Sequence, residues 1–191
     1  MIRIIILSII VFSTLMSEEI PIGSAMPGSD FIVKNINGKE SEFNTYKKEK
    51  GLLVIFSCNT CPWVIRWQER YNPISELCSN NDIGFVAVNS NASQHDGVDS
   101  FDSMKEHAKE YGYKFPYVLD SRAKLATAFG AMVTPHVYLF DKNGDLRYRG
   151  AIDDGPKRVK RNYLVDAINS VSKGKSVRTK ATKSLGCSIK F

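Results

Sequence analysis

Apolar runs and helical periodicities alternate along the chain and predict its secondary structure. Leu52 to Phe56 is continuously apolar and rich in branched side chains, which is typical of a strand buried on both faces of a sheet, and Ile83 to Asn89 is a second such strand. Val64, Trp67 and Tyr71 recur at helical spacing between them. Helices are predicted from residue 62, kinked or ended by the proline at 73, and over 99–111, 122–129 and 159–171; further extended segments are predicted over 31–33, 115–120, 137–140 and 146–149.

This order of elements predicts an α/β fold. Alternating strands and helices that finish in an antiparallel hairpin, turned by Asn143-Gly144, and a last helix describe a three-layer α/β/α sandwich with a mixed central sheet. Asn37-Gly38 predicts an additional N-terminal β-hairpin. A length of 191 residues with 43% hydrophobic and 24% charged residues fits one globular domain. We place that domain at residues 18–175, followed by a basic tail over 176–191.

The first 17 residues are typical of a secretory signal peptide. A positive start, Met1 to Arg3, precedes an apolar stretch that ends near Met16 and is too short for a comfortable membrane span. We therefore expect cleavage after Ser17 and a periplasmic or secreted protein, with an uncleaved membrane anchor as the less favoured alternative. Export implies an oxidising compartment, where a dithiol needs a dedicated reductant to remain reduced.

Two cysteines at C-x-x-C spacing stand where the first buried strand meets a helix. Cys58 leaves the end of the strand, and Cys61 lies one turn further on, within reach of a disulfide with Cys58. A helix N-terminus has free amide N–H groups and partial positive charge, so we expect it to stabilise Cys58 as the nucleophilic thiolate. Cys58 would attack a disulfide and Cys61 would then release the product. A structural disulfide is the alternative interpretation of the spacing.

Four separated motifs resemble those of a known family. They are Cys58 to Pro62, Phe115 to Asp120, Tyr148 to Asp154, and the tail motif Gly186 to Lys190. With Thr134-Pro135 ahead of a hairpin strand, they resemble redoxin-domain proteins of the thioredoxin fold, in the peroxiredoxin-like branch of alkyl hydroperoxide reductases and thiol-specific antioxidants. The resemblance covers about residues 23–191 and implies a thioredoxin-like sheet and thiol–disulfide chemistry. Together with the predicted signal peptide, it makes an exported thiol–disulfide oxidoreductase that uses Cys58 and Cys61 the first hypothesis.

The resemblance also implies a second wall for the site. In thioredoxin-like proteins the proline of this Thr-Pro pair is cis and packs against the disulfide, which here falls on Pro135. The backbone of Thr134 would then present an extended edge to a bound substrate chain. Trp63, just after the second cysteine, is a further candidate for the substrate surface, with core packing as the alternative.

The chain departs from its relatives in groups that handle protons. Leu52 and Val64 occupy places where thioredoxins and cytochrome-maturation thioredoxins carry an acid, and neither cysteine has the threonine that precedes a peroxidatic cysteine. A thiol-dependent peroxidase is therefore the second hypothesis. A copper- or zinc-binding carrier is the third, although no second C-x-x-C or spaced histidine pair completes a metal set. We expect no cofactor and no metal.

Two further cysteines lie outside the C-x-x-C pair. Cys78 sits on an apolar helical face, as a buried inert thiol does. Cys187 is a candidate additional thiol with three readings: it pairs with Cys78, resolves Cys58, or stays free on a tail that folds back over the domain. We favour the folded-back tail because Ile189 and Phe191 give it apolar side chains to bury.

Charge concentrates near the C-terminus. The chain has a formal net charge of +6, and from Lys157 onward it carries ten Lys or Arg against the single acid Asp166. This pattern predicts a solvated basic face, or a weak contact with an acidic partner or an anionic membrane surface. No nucleic-acid motif accompanies it. The expected partners are a protein or small-molecule thiol or disulfide substrate and a thiol reductant or oxidant.

Overall fold

The computed structural model describes residues 18–155 and 157–191, and the predicted signal segment 1–17 lies outside the described residues. The strands are β1 Ile32–Asn35, β2 Glu40–Glu42, β3 Gly51–Ser57, β4 Ile83–Asn89, β5 Tyr117–Leu119, β6 Val133–Thr134, β7 His136–Asp141, β8 Leu146–Gly150 and β9 Cys187–Ser188. The α-helices are α1 Pro62–Trp67, α2 Tyr71–Ser79, α3 Phe101–Glu110, α4 Lys124–Phe129 and α5 Tyr163–Ser172.

Seven strands form one mixed sheet in the order β2-β1-β5-β4-β3-β7-β8. The two continuous apolar runs are its centre: β3 is parallel to β4 and antiparallel to β7. All seven residues of β3 are buried, because both faces of this strand are covered. The predicted N-terminal hairpin is present as β1 and β2, and β1 joins the sheet antiparallel to β5.

Helices cover both faces of the sheet, as the three-layer prediction requires. On one face α2, α3 and α5 bury a cluster that contains Ile74, Met104 and Ile168. On the other face α4 contributes Phe129, whose ring meets those of Phe43, Phe56, Tyr138 and Phe140 edge to face. The cysteine pair belongs to the first face, at the end of β3.

The first and the last helix differ most from the sequence prediction. The first predicted helix is broken before the proline: α1 ends at Trp67, a 3₁₀ turn covers Gln68–Arg70, and α2 begins at Tyr71. Pro73 lies in the first turn of α2, where a missing N–H removes no helical hydrogen bond. The last helix begins at Tyr163 instead of residue 159.

The C-terminal tail folds back across the domain. The Arg149 N–H donates to the Lys180 carbonyl oxygen (3.0 Å), and the strand β9 pairs antiparallel with β6. Ile189 is buried in the core of the second face, whereas Phe191 is half exposed. The folded-back tail of the preferred prediction is confirmed, with Ile189 alone of the two side chains buried, whereas its free Cys187 thiol is wrong because Cys187 forms a disulfide. No described helix is long and apolar enough to cross a membrane.

Candidate functional site

The junction of β3 and α1 sets the positions of the cysteine pair. The strand β3 ends at Ser57, so Cys58 follows the last residue held by the sheet. Cys61 has an extended backbone and caps α1, whose first residue is Pro62. Proline suits this position because its φ angle is helical and the N–H it lacks would have no helical acceptor. Both cysteines therefore lie in the short segment that turns from strand to helix.

Thr134 and Pro135 form the opposite wall of the site. The Thr134–Pro135 peptide bond is cis, which confirms the prediction for Pro135. The Sγ atom of Cys58 lies 3.2 Å from the Thr134 hydroxyl, and the Sγ atom of Cys61 lies 3.3 Å from the Thr134 carbonyl oxygen. One residue thus contacts both sulfurs, from a different part of the chain.

The disulfide of the structure joins Cys61 to Cys187, with 6.1 Å between their Cα atoms, and Cys58 is a free thiol. This separation is typical of a disulfide. This pairing differs from all three expectations for Cys187. It does not pair with Cys78, it does not bond to Cys58, and it is not a free thiol. The physical reason is the tail register: β9 places Cys187 directly opposite Thr134, which itself contacts Cys61. The Cys58–Cys61 disulfide expected from the spacing is absent in this form.

Cys58 is deeply buried, and this corrects the expectation that the helix start favours its thiolate. Its exposed fraction is only 2%, and that of Cys61 is 4%. Burial is the largest influence and raises the pKa of the Cys58 thiol, and the negative charge of Asp99 raises it further. Hydrogen bonds from the Thr134 hydroxyl and from the N–H groups of Thr60 and Cys61 lower this pKa but do not overcome burial.

A buried polar network holds the segment between the two cysteines. Asp99 is 1% exposed, and its carboxylate accepts hydrogen bonds from the Asn59 backbone N–H (2.8 Å) and from the side-chain amides of Asn89 (2.8 Å) and Asn91 (2.7 Å). The Tyr117 hydroxyl donates to the Asn59 side-chain oxygen at 2.9 Å. Sequence reasoning missed Asp99, because it lies 40 residues from Asn59 and nothing in its local sequence marks it as part of the site.

Trp67, which recurs with Val64 and Tyr71 at helical spacing, is buried and lies beside Pro135. Its indole N–H donates to the buried Asp153 carboxylate at 2.8 Å, and the same carboxylate is paired with Arg70. A cavity of about 260 Å³ beside Pro135 is lined by Trp67 and by apolar groups that include Ile152 and Leu185.

Trp63, the tryptophan predicted at the substrate surface, is half-buried beside the cysteine segment. Its ring stacks on that of Trp67 with 5.8 Å between centroids, and it packs against the core of the first face. The cavity beside Pro135 is lined by Trp67 and not by Trp63. Trp63 as a substrate contact stays a prediction.

Cys78 and His136 lie apart from this chemistry. Cys78 is fully buried against the first face of the sheet, and burial raises the pKa of its thiol to about 12. The ring of His136 packs on Tyr138, on the opposite face from the cysteines, and burial lowers the pKa of His136 to about 4. Across residues 18–155 and 157–191, no three His, Cys, Asp or Glu residues form a group that could hold a metal ion.

Known proteins resemble this chain in sequence. The thiol-disulfide oxidoreductase ResA of Geobacillus thermodenitrificans is 21% identical over 137 residues, which are 72% of this chain and 74% of ResA.

Solved structures resemble it as well. The crystal structure of a hypothetical protein from Sinorhizobium meliloti 1021 matches with a TM-score of 0.82 at 32% identity, and covers 92% of this chain and 97% of that chain. The solution structure of a thioredoxin-like protein in the oxidized form matches with a TM-score of 0.61 at 22% identity, over 81% of this chain and 97% of that chain. This likeness shows the thioredoxin-like fold expected from the sequence.

A family model described as Redoxin matches residues 21–168. The matched residues include Cys58, Cys61 and Pro135 and end before Cys187. Since the match extends over well more than half of the chain and includes the cysteine pair, this protein belongs to the redoxin family.

Proposed function

We propose that this protein is a thiol–disulfide oxidoreductase in which Cys58 is the nucleophile and Cys61 the second thiol. The observation that carries the proposal is the contact of both sulfurs with Thr134, next to the cis proline. Thiols held together in this way exchange disulfides, because one can attack a substrate and the other can displace it. The oxidoreductase name of the Geobacillus relative supports the same class of reaction.

The reaction follows from the positions of the two sulfurs. The Cys58 thiolate attacks one sulfur of a substrate disulfide, and the other substrate sulfur leaves as a thiolate. The Cys61 thiolate then attacks the Cys58 sulfur of the mixed disulfide, which releases the reduced substrate and forms a Cys58–Cys61 disulfide. The Thr134 hydroxyl, 3.2 Å from Cys58, is placed to donate a hydrogen bond to the attacking thiolate.

The substrate is a protein or small-molecule disulfide that approaches along Pro135. Support comes from the cavity beside this proline, whose apolar side chains Trp67, Ile152 and Leu185 could contact an apolar side chain of a substrate that lies along Pro135. The Thr134 backbone edge predicted to bind substrate is occupied by β9 in this form. A thiol reductant or oxidant is needed to complete the cycle.

Peroxide reduction is the second candidate, and one contact favours it. No threonine precedes Cys58 at the spacing of peroxiredoxins, but the fold brings the Thr134 hydroxyl to the Cys58 sulfur from a distant part of the chain. A hydroxyl beside a thiolate can orient a peroxide oxygen for attack. This contact supplies a group that the local sequence lacks.

Export by the segment Met1 to Ser17 is also part of the proposal, supported by its positive start and apolar run. Removal of this segment in cells, seen as a mature chain that begins near Glu18 in the exported fraction, would test it. The basic region from Lys157 onward is proposed as a weak docking face for an acidic partner or membrane.

Reduction of insulin and consumption of hydrogen peroxide, each measured with an excess dithiol reductant, separate the two activities. We expect wild type to reduce insulin and the Cys58→Ser variant to be inactive. The Cys61→Ser variant should reduce insulin much more slowly, because its mixed disulfide is no longer released by Cys61, whereas Cys78→Ser, the matched buried thiol, should behave as wild type. Full insulin reduction without Cys58 would overturn the proposal. Peroxide consumption that depends on Cys58 without insulin reduction would establish the second candidate instead.

A further inference from the structure

The C-terminal strand brings a third sulfur to the cysteine pair. Cys58 and Cys61 both contact Thr134, and Cys187 pairs with Thr134 through the backbone and with Cys61 through a disulfide. Three sulfurs therefore surround one residue, and one of them, Cys58, is unpaired. The two-cysteine cycle described above leaves this third sulfur without a role.

We propose that Cys187 is a third redox cysteine of this enzyme, which moves the disulfide from Cys58–Cys61 to Cys61–Cys187 and returns Cys58 to the thiol form. The inference rests on the proposed thiol–disulfide exchange and adds a step after it. Cys187 lies beyond the region that the redoxin family model matches, which ends at residue 168.

The step is an internal thiol–disulfide exchange. The Cys187 thiolate attacks the Sγ atom of Cys61, the Cys61–Cys187 bond forms, and the Cys58–Cys61 bond breaks. The electron pair of the broken Cys58–Cys61 bond stays on the Cys58 sulfur, which takes up the proton that Cys187 lost. The number of disulfides is unchanged, so no further oxidant is consumed. A dithiol reductant then reduces Cys61–Cys187 and completes the cycle.

Besides the disulfide, backbone contacts on both sides hold Cys187 at the site. Before it, the Thr182 N–H donates to the Arg149 carbonyl oxygen at 3.1 Å. After it, the Ile189 N–H donates to the Met132 carbonyl oxygen at 2.9 Å, and the Ile189 side chain is buried. Because the third thiol is held in place, the exchange is intramolecular and has a high effective concentration.

The residue before Cys187 permits this close approach. A Cβ atom at Gly186 would overlap the carbonyl oxygen of Thr134, the backbone group that also lies 3.3 Å from the Cys61 sulfur. A side chain at position 186 would therefore push β9 away from Thr134. The next residue after Cys187, Ser188, has an exposed side chain and offers a control on the same strand.

Disulfide mapping after reaction with a substrate tests the proposal. The reduced, full mature chain is mixed with oxidised glutathione, quenched in acid over a time course, labelled with N-ethylmaleimide under denaturing conditions and digested for mass spectrometry. In wild type we expect a Cys58–Cys61 disulfide first and Cys61–Cys187 afterwards, with the label on Cys58 and Cys78. In Cys187→Ser the Cys58–Cys61 disulfide should persist, with the label on Cys78 alone.

Three further variants, one of them a control, distinguish a redox role of Cys187 from a structural one. In Gly186→Ala the conversion to Cys61–Cys187 should be slowed, whereas Ser188→Ala should match wild type. In Cys58→Ser, formation of Cys61–Cys187 by oxidised glutathione should slow at least about tenfold, because the exchange through Cys58 is lost.

Persistent Cys58–Cys61 in wild type, or Cys61–Cys187 formation at an unchanged rate without Cys58, would overturn the third-cysteine role while leaving two-cysteine exchange intact. Absence of any reaction between wild type and the disulfide would instead contradict the proposed function.

Discussion

Cys58 and Cys78 are both buried free thiols, yet their surroundings differ in kind. Cys78 lies on α2 and is buried against the central sheet, and the charge of Lys48 lowers its pKa without overcoming burial. Cys58 is bordered by a hydroxyl, two backbone N–H groups and the charge of Asp99. Its neighbour Cys61 contacts Thr134, which pairs with the tail strand β9. Both pKa values are raised by burial.

The comparison shows that burial does not by itself separate an inert thiol from a redox thiol. Cys78 could become exposed only by separation of a helix from the sheet, which is a large part of unfolding. Cys58 contacts Thr134, which pairs with the short tail strand β9, so we expect Cys58 in the reduced protein to become exposed when β9 moves away from Thr134. Local opening of this kind costs much less free energy than global unfolding. The predictions below act on this difference.

Removal of the tail should have the largest effect on the difference in reactivity between Cys58 and Cys78. In the reduced protein, truncation after Leu185 should raise the rate at which Cys58 reacts with iodoacetamide on the order of a hundredfold and leave the rate of Cys78 unchanged. The reason is that local opening of the tail limits the reaction of Cys58 but not that of Cys78. Mass spectrometry of each labelled peptide measures both rates. Gly186→Ala, which keeps the buried Ile189, should shift Cys58 in the same direction. An equal rise at both thiols would indicate general unfolding.

Replacement of Asp99 should destabilise the fold and acidify Cys58 at once. In Asp99→Asn an amide group faces the N–H donors of Asn59, Asn89 and Asn91, and we expect a loss of about 2 kcal/mol in the free energy of unfolding. Loss of the negative charge should lower the pKa of Cys58, since Asp99 raises it. Urea denaturation and the pH dependence of alkylation measure the two effects. Reduced stability with an unchanged Cys58 titration would limit Asp99 to a structural role.

Loss of the Thr134 hydroxyl should weaken the Cys58 nucleophile. In Thr134→Val the hydrogen bond that lowers the pKa of Cys58 is absent, so this pKa should rise. At neutral pH the thiolate fraction, and with it the alkylation rate, should fall by up to about tenfold. Thr134→Ser keeps the hydroxyl and should restore most of the rate. Equal rates in the valine and serine variants would show that the hydroxyl does not act on the thiol.

The Cys78 thiol should affect only the free energy of unfolding, and only at high pH. Its pKa is raised in the folded state, so above the usual cysteine pKa the unfolded chain loses a proton that the folded chain keeps. Stability is therefore lost as the pH rises from the unfolded pKa toward about 12. At about pH 9.5, wild type should lose about 1 kcal/mol more than Cys78→Val, relative to neutral pH. If the free energies of unfolding of wild type and Cys78→Val changed in parallel with pH, the raised pKa of Cys78 would be contradicted.

Local patterns in the sequence predicted most of the fold, because strand burial and helix periodicity are local properties. The apolar runs of β3 and β4 predicted the centre of the sheet, and the family resemblance implied the second wall at Thr134-Pro135. The pairing of Cys61 with Cys187, which are 126 residues apart in the sequence, was not predicted, since it depends on the register of β9 against β6. The direction of the Cys58 pKa shift was wrong for a related reason, because the helix start is local whereas burial is a property of the whole fold.

Trapping of the mixed disulfide tests the central claim most directly. In the Cys61→Ser/Cys187→Ser variant no neighbouring thiol can displace a bound substrate, and Cys58 remains with the buried Cys78 as an internal control. After reaction with a disulfide peptide, peptide mapping should find one peptide per chain, attached to Cys58. No adduct, or an adduct carried mainly by Cys78, would contradict Cys58 as the nucleophile of thiol–disulfide exchange.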